Sequence, residues 1–261
     1  MTLIFYKYQG TGNDFVIIDN RNKIFNKNDT KLIERLCDRK FGVGADGLIL
    51  LEDPLHEGDD FTMVFYNADG NETTMCGNGG RCLVAFAAFL DIIQDKAVFT
   101  AVDGKHTATL ENDLVRLQMQ NVMEIEHHDT HLFLDTGSPH HVMQVKNLKA
   151  YDVKTAGAAI RHGAPYFEAG TNVNFVEKLE ADCYAVRTFE RGVEDETLSC
   201  GTGVTAVALG MHAIGEVASD CVRIETLGGI LEVSFAKKDN GYEEIYLSGP
   251  AKQVFKGEIV C

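Results

Sequence analysis

The sequence predicts an α+β protein made of two homologous, pseudo-symmetric domains, each a curved, mostly antiparallel sheet wrapped around a central buried helix. Three observations carry this prediction. Sliding the chain on itself by 124 residues lays 63–82 over 187–206 without a gap, and six of those twenty positions are identical: Phe65/Phe189, Glu72/Glu196, Thr73/Thr197, Cys76/Cys200, Gly77/Gly201 and Gly79/Gly203. About one identity is expected by chance. Residues 83–90 are apolar on all sides and 204–214 nearly so, so each reads as an enclosed helix rather than a surface one with a polar face. Short strand-like runs surround both helices, at 3–8, 15–19, 61–66 and 97–102 in the first half and at 183–189, 221–225, 230–235 and 243–248 in the second.

The remaining elements keep the same offset. Asn28, Asp29 and Thr30 give a helix-start signal ahead of Leu32, Ile33 and Leu36, and their counterparts are Asp152 and the run 156–160. Gly47, Leu48, Ile49, Leu50 and Leu51 read as a strand and fall over Thr171, Asn172, Val173, Asn174 and Phe175. Residues 53–60, with one Pro, one Gly and five charged or His side chains, read as a polar loop tip. The expected domains are 1–120, carrying Cys76, and 121–249, carrying Cys200, with 250–261 returning to the first domain and the active site in the cleft between the two.

Composition narrows the function. At 261 residues the chain can bury a sizeable core without disulfide staples. Its 24 Lys and Arg against 39 Asp and Glu give a net charge of -15, a field that repels nucleic acid and anionic lipid. The longest apolar stretch, 82–90, is far short of the roughly 18 residues that span a bilayer. Residues 1–7 lack a basic segment and a long apolar one, so the expected location is cytoplasmic. Seven cysteines (37, 76, 82, 183, 200, 221 and 261) are odd in number and show no Cys-x-x-Cys spacing, which argues against a disulfide framework and a structural zinc site. His127, His128 and His131 lie where the halves join and read as a solvated linker, and no metal is expected there or at His140 and His141.

The chemistry concentrates in two turns, Met75-Cys76-Gly77-Asn78-Gly79-Gly80 and Ser199-Cys200-Gly201-Thr202-Gly203, each placed just before a buried helix. A helix N-terminus offers unpaired N–H groups and about half a positive charge, which favour a thiolate and hold a carboxylate. One such turn alone would more often hold a small buried hydrophobe. Neither turn has the Lys and Ser/Thr of a phosphate-binding loop. Two duplicated copies change the balance, because inversion at a carbon needs an acid on one face and a base on the other, and a thiol with a thiolate supplies both. A thiol redox sensor or a small-molecule binding protein is the alternative from another class.

Six blocks then carry a resemblance: Gly10-Thr11-Gly12-Asn13-Asp14-Phe15-Val16, Phe41-Gly42-Val43-Gly44-Ala45-Asp46-Gly47, Asn67-Ala68-Asp69-Gly70, Met75 to Gly79, Gly137-Ser138-Pro139-His140, and Phe189-Glu190-Arg191-Gly192 followed by Cys200 to Gly203. In order and spacing they resemble the motifs of the diaminopimelate epimerase family, nearly end to end. The resemblance implies cofactor-independent interconversion of LL- and meso-2,6-diaminopimelate, on the bacterial route to lysine and peptidoglycan. Cys76 and Cys200 would be the catalytic thiols, with His140 near Cys76 and Glu190 near Cys200 tuning them. Gly77, Asn78, Gly201 and Thr202 would bind the reacting carboxylate. Asn13, Asn67, Asn172, Glu190 and Arg191 would read the distal ammonium and carboxylate. The partner is thus a small amino acid and the assembly a homodimer.

Several positions depart from the family pattern. Ser138 stands where Asn is common and Gly47 where some members have Gln, so distal contacts there are expected to be shorter or water-mediated. The segment from Arg191 to Cys200 is one residue longer than usual, and Phe255 replaces a Tyr of the dimer contact. Proline racemase-type enzymes share the implied fold but usually carry His where Asn78 stands, and phenazine-biosynthesis isomerase-like proteins lack the cysteine pair.

Overall fold

The computed structural model describes residues 2–261, which form two compact units: 2–117 with 249–261, and 118–248. The sequence reading puts its divisions after 120 and 249.

In the first unit β1 (Thr2–Gly10) and β2 (Asn13–Asp19) form a hairpin whose turn, Thr11 and Gly12, has positive φ at both residues. Helix α1 (Thr30–Cys37) begins at Asp29, whose carboxylate accepts the Leu32 N–H, as a cap should. The chain returns as β3 (Gly47–Glu52), parallel to β2, then β4 (Phe61–Asn67), antiparallel to β3, and β5 (Glu72–Thr73). Helix α2 (Gly77–Phe89) follows, then β6 (Lys96–Ala101), parallel to β4, and the antiparallel β7 (Gly104–Glu111) and β8 (Leu114–Gln118).

β3 is apolar from Gly47 to Leu51 because both of its faces are covered there. Leu48 and Leu50 point with Val16 and Ile18 into a cluster closed by Ile33 and Leu36 of α1. Ile49 and Phe15 point the other way, onto Gly79 of α2. Helix α2 packs on β1, β2, β3 and β7, and Leu83, Val84, Phe86 and Ala87 are fully buried. Each such Leu, Val or Phe contributes about 1.5–3 kcal/mol of burial, which explains a helix without a polar face.

The second unit repeats the plan. After β9 (Glu126–His127) and β10 (Leu132–Asp135) come β11 (Pro139–Gln144), helix α3 (Val153–His162) and β12 (Asn172–Glu180), parallel to β11. Then follow β13 (Cys183–Glu190), β14 (Asp195–Thr197), helix α4 (Gly201–Ala213), and β15 (Cys221–Thr226), parallel to β13 as β6 is to β4. β16 (Gly229–Lys238) and β17 (Gly241–Pro250) complete it. Asp152 caps α3 through the Thr155 N–H, as Asp29 caps α1. Helices α2 and α4 start at Gly77 and Gly201, the offset read from the sequence. Finally β18 (Lys252–Val260) runs antiparallel to β1, with Thr2 opposite Val260.

One local expectation changes. The 127–131 segment does not run wholly as a loose linker: Glu126 and His127 pair with Phe133 and Leu132, and the rings of His128, His131 and His141 stack at centroid spacings of 4.4 and 4.0 Å. Residues 127–130 are exposed, and Tyr166 packs edge-on against His141.

Candidate active site

Cys76 and Cys200 are each the N-cap residue of their helix, with extended backbone (φ -92°, ψ 130° and φ -115°, ψ 110°) and no side-chain hydrogen bond to the first helical turn. The thiol therefore stands at the amide end without filling it. Cys76 is half-buried and Cys200 buried. A Cβ on Gly79 would come 3.1 Å from Ile49, and one on Gly203 would come 2.3 Å from Asn174 Oδ1. The glycine after each Cys-Gly-x thus lets the helix start press onto the sheet beneath it.

Around Cys76, the thiol donates to Asn13 Oδ1 at 3.6 Å. That amide has one orientation, because its Nδ2 donates to the Asp46 carboxylate at 2.6 Å. Asn78 Nδ2 also donates to Asn13 Oδ1, at 3.3 Å. Asp46 and Asp14 are clamped by Arg39, and Asp14 also pairs with Lys7 at 2.6 Å. Burial alone would raise the Asp14 pKa, but Arg39 and Lys7 pull it down to about 2. Asn67 is exposed at the end of β4, opposite Gly47 of β3. A side chain at Gly47 would meet Phe65 Cε2 and the Tyr66 carbonyl, both at 2.6 Å, so this position offers only backbone.

Around Cys200, the thiol and the Thr202 hydroxyl are 3.5 Å apart, and the Thr202 carbonyl accepts from Thr136 Oγ1 at 2.9 Å. Asn172 links two loops: its Nδ2 donates to the Pro139 carbonyl and its Oδ1 accepts the Arg191 N–H at 2.9 Å. The Arg191 side chain is exposed, tethered to the Ala169 carbonyl at 3.0 Å, and Glu190 accepts from the Thr197 hydroxyl. Ser138 is half-buried, and its carbonyl accepts the Thr136 N–H.

His140 is fully buried on β11. Asn174 fixes its tautomer: the Asn174 Nδ2 donates to the His141 carbonyl, which cannot donate in return, so it also donates to His140 Nδ1, at 3.0 Å. The His140 proton is therefore on Nε2, which has no partner among the described residues. Burial, with Arg191 adding to it, lowers the His140 pKa to about 3. It is a neutral donor at physiological pH.

Sequence reasoning passed over Asn174 and Arg81. Asn174 carried a signal, since Asn172 and Asn174 are polar at i and i+2 in the buried half of a strand, 172–176, otherwise built of Val and Phe. Arg81 carried one too, as the single charge in the first turns of an apolar helix.

The sequence matches the family model described as diaminopimelate epimerase over 5–123 and 132–254. It is 56% identical over 255 residues to the diaminopimelate epimerase of Flavobacterium psychrophilum, spanning 97% of this chain and 99% of that protein. It is 45% identical over 260 residues to that of Chlorobaculum tepidum, spanning 96% and 98%. Among solved structures it is similar to a phenazine biosynthesis protein of the PhzF family from Bacillus anthracis (TM-score 0.80, 12% identity, all of both chains). It is also similar to a probable proline racemase from Agrobacterium radiobacter (TM-score 0.70, 17% identity, 99% of this chain and 93% of that one). These two likenesses concern the fold. Both Cys-capped helices fall inside the matched segments, and the chain belongs to the diaminopimelate epimerase family.

Proposed function

We propose that the protein interconverts LL- and meso-2,6-diaminopimelate without a cofactor, with Cys76 and Cys200 as base and acid on opposite faces of one α-carbon. The observation that carries this is the duplicated device: two buried helices, 124 residues apart, each starting at a cysteine that leaves its amide end uncapped. One thiolate takes the α-proton as the C–H electron pair moves into the carboxylate to give an enolate-like dianion. The other thiol then protonates the carbon from the opposite face, so the thiol and thiolate states are exchanged after each turnover. The first-turn amides at Gly77, Asn78, Gly201 and Thr202 hold the reacting carboxylate, and preorganised donors of this kind are each worth roughly 3–4 kcal/mol as the charge develops. Asn13, Asn67, Asn172, Glu190 and Arg191 recognise the distal amino acid group, and the exposed Arg191 guanidinium suits its carboxylate. Gly47 and Ser138 add backbone and hydroxyl contacts at most. His140, being uncharged, tunes a thiol through its Nε2–H rather than as a cation.

This chemistry belongs to a cytoplasmic biosynthetic route. Exposed Val254 and Phe255 on β18 support a homodimer, which sedimentation would test. The decisive experiment for the reaction is α-proton exchange from diaminopimelate in heavy water, with proline as competitor. Exchange with diaminopimelate is expected. Exchange with proline alone would replace the substrate, and none with either would leave a binding or redox protein.

A further inference from the structure

Arg81 is 0% exposed, one turn into α2. Its Nη1 donates to the Gly77 carbonyl at 3.3 Å, and its Nη2 donates to Asn78 Oδ1 at 3.0 Å and to Thr11 Oγ1 at 3.3 Å. Its Nε has no partner, and no carboxylate among the described residues lies at ion-pair distance from it. A buried guanidinium without a counter-ion is costly and demands an anion nearby. Two acidic groups act on it, Cys82 and Cys76. Cys82 is buried so deeply that its thiol is pushed up to about 12, so it stays neutral. Cys76 remains.

The repeat sharpens this. The residue at the Arg81 position in the second unit is Thr205, whose hydroxyl donates to the Gly201 carbonyl at 3.0 Å, in place of the Arg81 contact to Gly77. Helix α4 has no Lys or Arg. The duplicated devices therefore share their helix ends and glycines but differ in one buried charge.

We propose, resting on the two-thiol reading above, that Arg81 breaks the equivalence of the two cysteines: it holds the Asn78 carboxamide and keeps Cys76 as the resting thiolate, while Cys200 rests as the thiol. Arg81 is a positioning residue and does not touch the reacting carbon. Other groups face each thiol. At Cys76, Asn13 Oδ1 favours the protonated form, but as a neutral acceptor at 3.6 Å it is weaker than a desolvated full charge. Asp14 and Asp46 are matched by Lys7 and Arg39, and Asp103, which accepts the Met75 N–H, lies beside His106. In the Cys200 unit Glu190 and Arg191 oppose each other in sign, and His140 is neutral.

The test is the pH dependence of iodoacetamide alkylation, read by peptide mass spectrometry. Cys76 is followed in a Cys200→Ala background and Cys200 in a Cys76→Ala background, so that the two titrations cannot couple. The Cys76 midpoint should lie at least one pH unit below that of Cys200, a tenfold difference in thiolate fraction at low pH. Arg81→Gln should raise the Cys76 midpoint by at least one unit and leave Cys200 in place. Equal or reversed midpoints, or a Cys76 midpoint indifferent to Arg81→Gln, would overturn the proposal. A merely structural Arg81 would lower the melting temperature without moving either midpoint. Should Arg81→Gln fail to fold, the comparison of the two unaltered sites decides alone. Diaminopimelate exchange is assayed separately on the unmodified chain, so loss of the epimerase reading and loss of the thiolate assignment give different results.

Discussion

At the scale of single residues, the two-thiol reading gives each face of the α-carbon one acid or base, so neither thiol could replace the other. Cys76→Ala and Cys200→Ala are each expected to reduce epimerisation by at least about 10³-fold with little change in melting temperature, since both cysteines sit at helix caps without a capping bond. Near wild-type turnover in either variant would refute the two-base assignment. On that reading one thiolate and one thiol are needed together, so kcat/KM should be bell-shaped, losing rate on the acid side as the base protonates and on the alkaline side as the acid ionises. His140→Asn removes the buried Nε2–H donor and should displace one limb while substrate still binds. Both limbs unmoved, with only stability changed, would make His140 structural. A profile flat from about pH 6 to 10, around the ordinary thiol value near 8.5, would exclude thiol chemistry altogether.

At the scale of elements, local rules and tertiary contacts sometimes oppose each other. Gly157 lies inside α3, where Ala is ordinarily better by about 1 kcal/mol. A Cβ there would come 2.4 Å from Phe189 Cβ of β13, and overpacking of this kind costs about 1–3 kcal/mol. Gly157→Ala is therefore expected to be destabilising on balance, by urea unfolding, and a stabilised variant would show that α3 can slide outward. The same tension sets what the sequence could tell. Helices α2 and α4 were legible because apolarity on every side has one explanation, and β3 because a continuous apolar run needs two covers. The two cysteine turns were legible as helix starts because duplication repeats them along with their scaffold. Arg81 and Asn174 were not, since their meaning lies in partners that only folding supplies: Asn174 meets His140 across 34 positions, and Arg81 meets Thr11 across 70. The stacking of His128 and His131 with His141 was hidden for the same reason.

At the scale of the molecule, burial of imidazoles makes stability depend on pH. Burial, the larger cause for both, lowers the pKa values of His140 and His141 to about 3, well below the 6.5 of an exposed ring. The folded state therefore stays unprotonated while the unfolded chain takes up protons below 6.5, so this stability is complete above that pH and declines as pH falls towards 3. Between pH 7 and 5 each ring should cost about 2 kcal/mol. His141→Asn should show a correspondingly shallower loss in urea unfolding at the two pH values, and an unchanged slope would contradict the burial of that ring. The pairing of β18 with β1 has a consequence of a different kind, for the order in which the molecule is made. β1 carries Leu3 and Phe5 of the first unit's core, yet its partner strand ends at Val260. With synthesis at about 5–20 residues per second, the intervening second unit, 118–248, takes roughly 7 to 26 seconds to emerge. For that interval the earlier-made unit has an open edge, and the later-made one gains its last strand, β17, just before β18 is made. On the ribosome the second unit should become protease-resistant first, and the beginning of the chain should mature last.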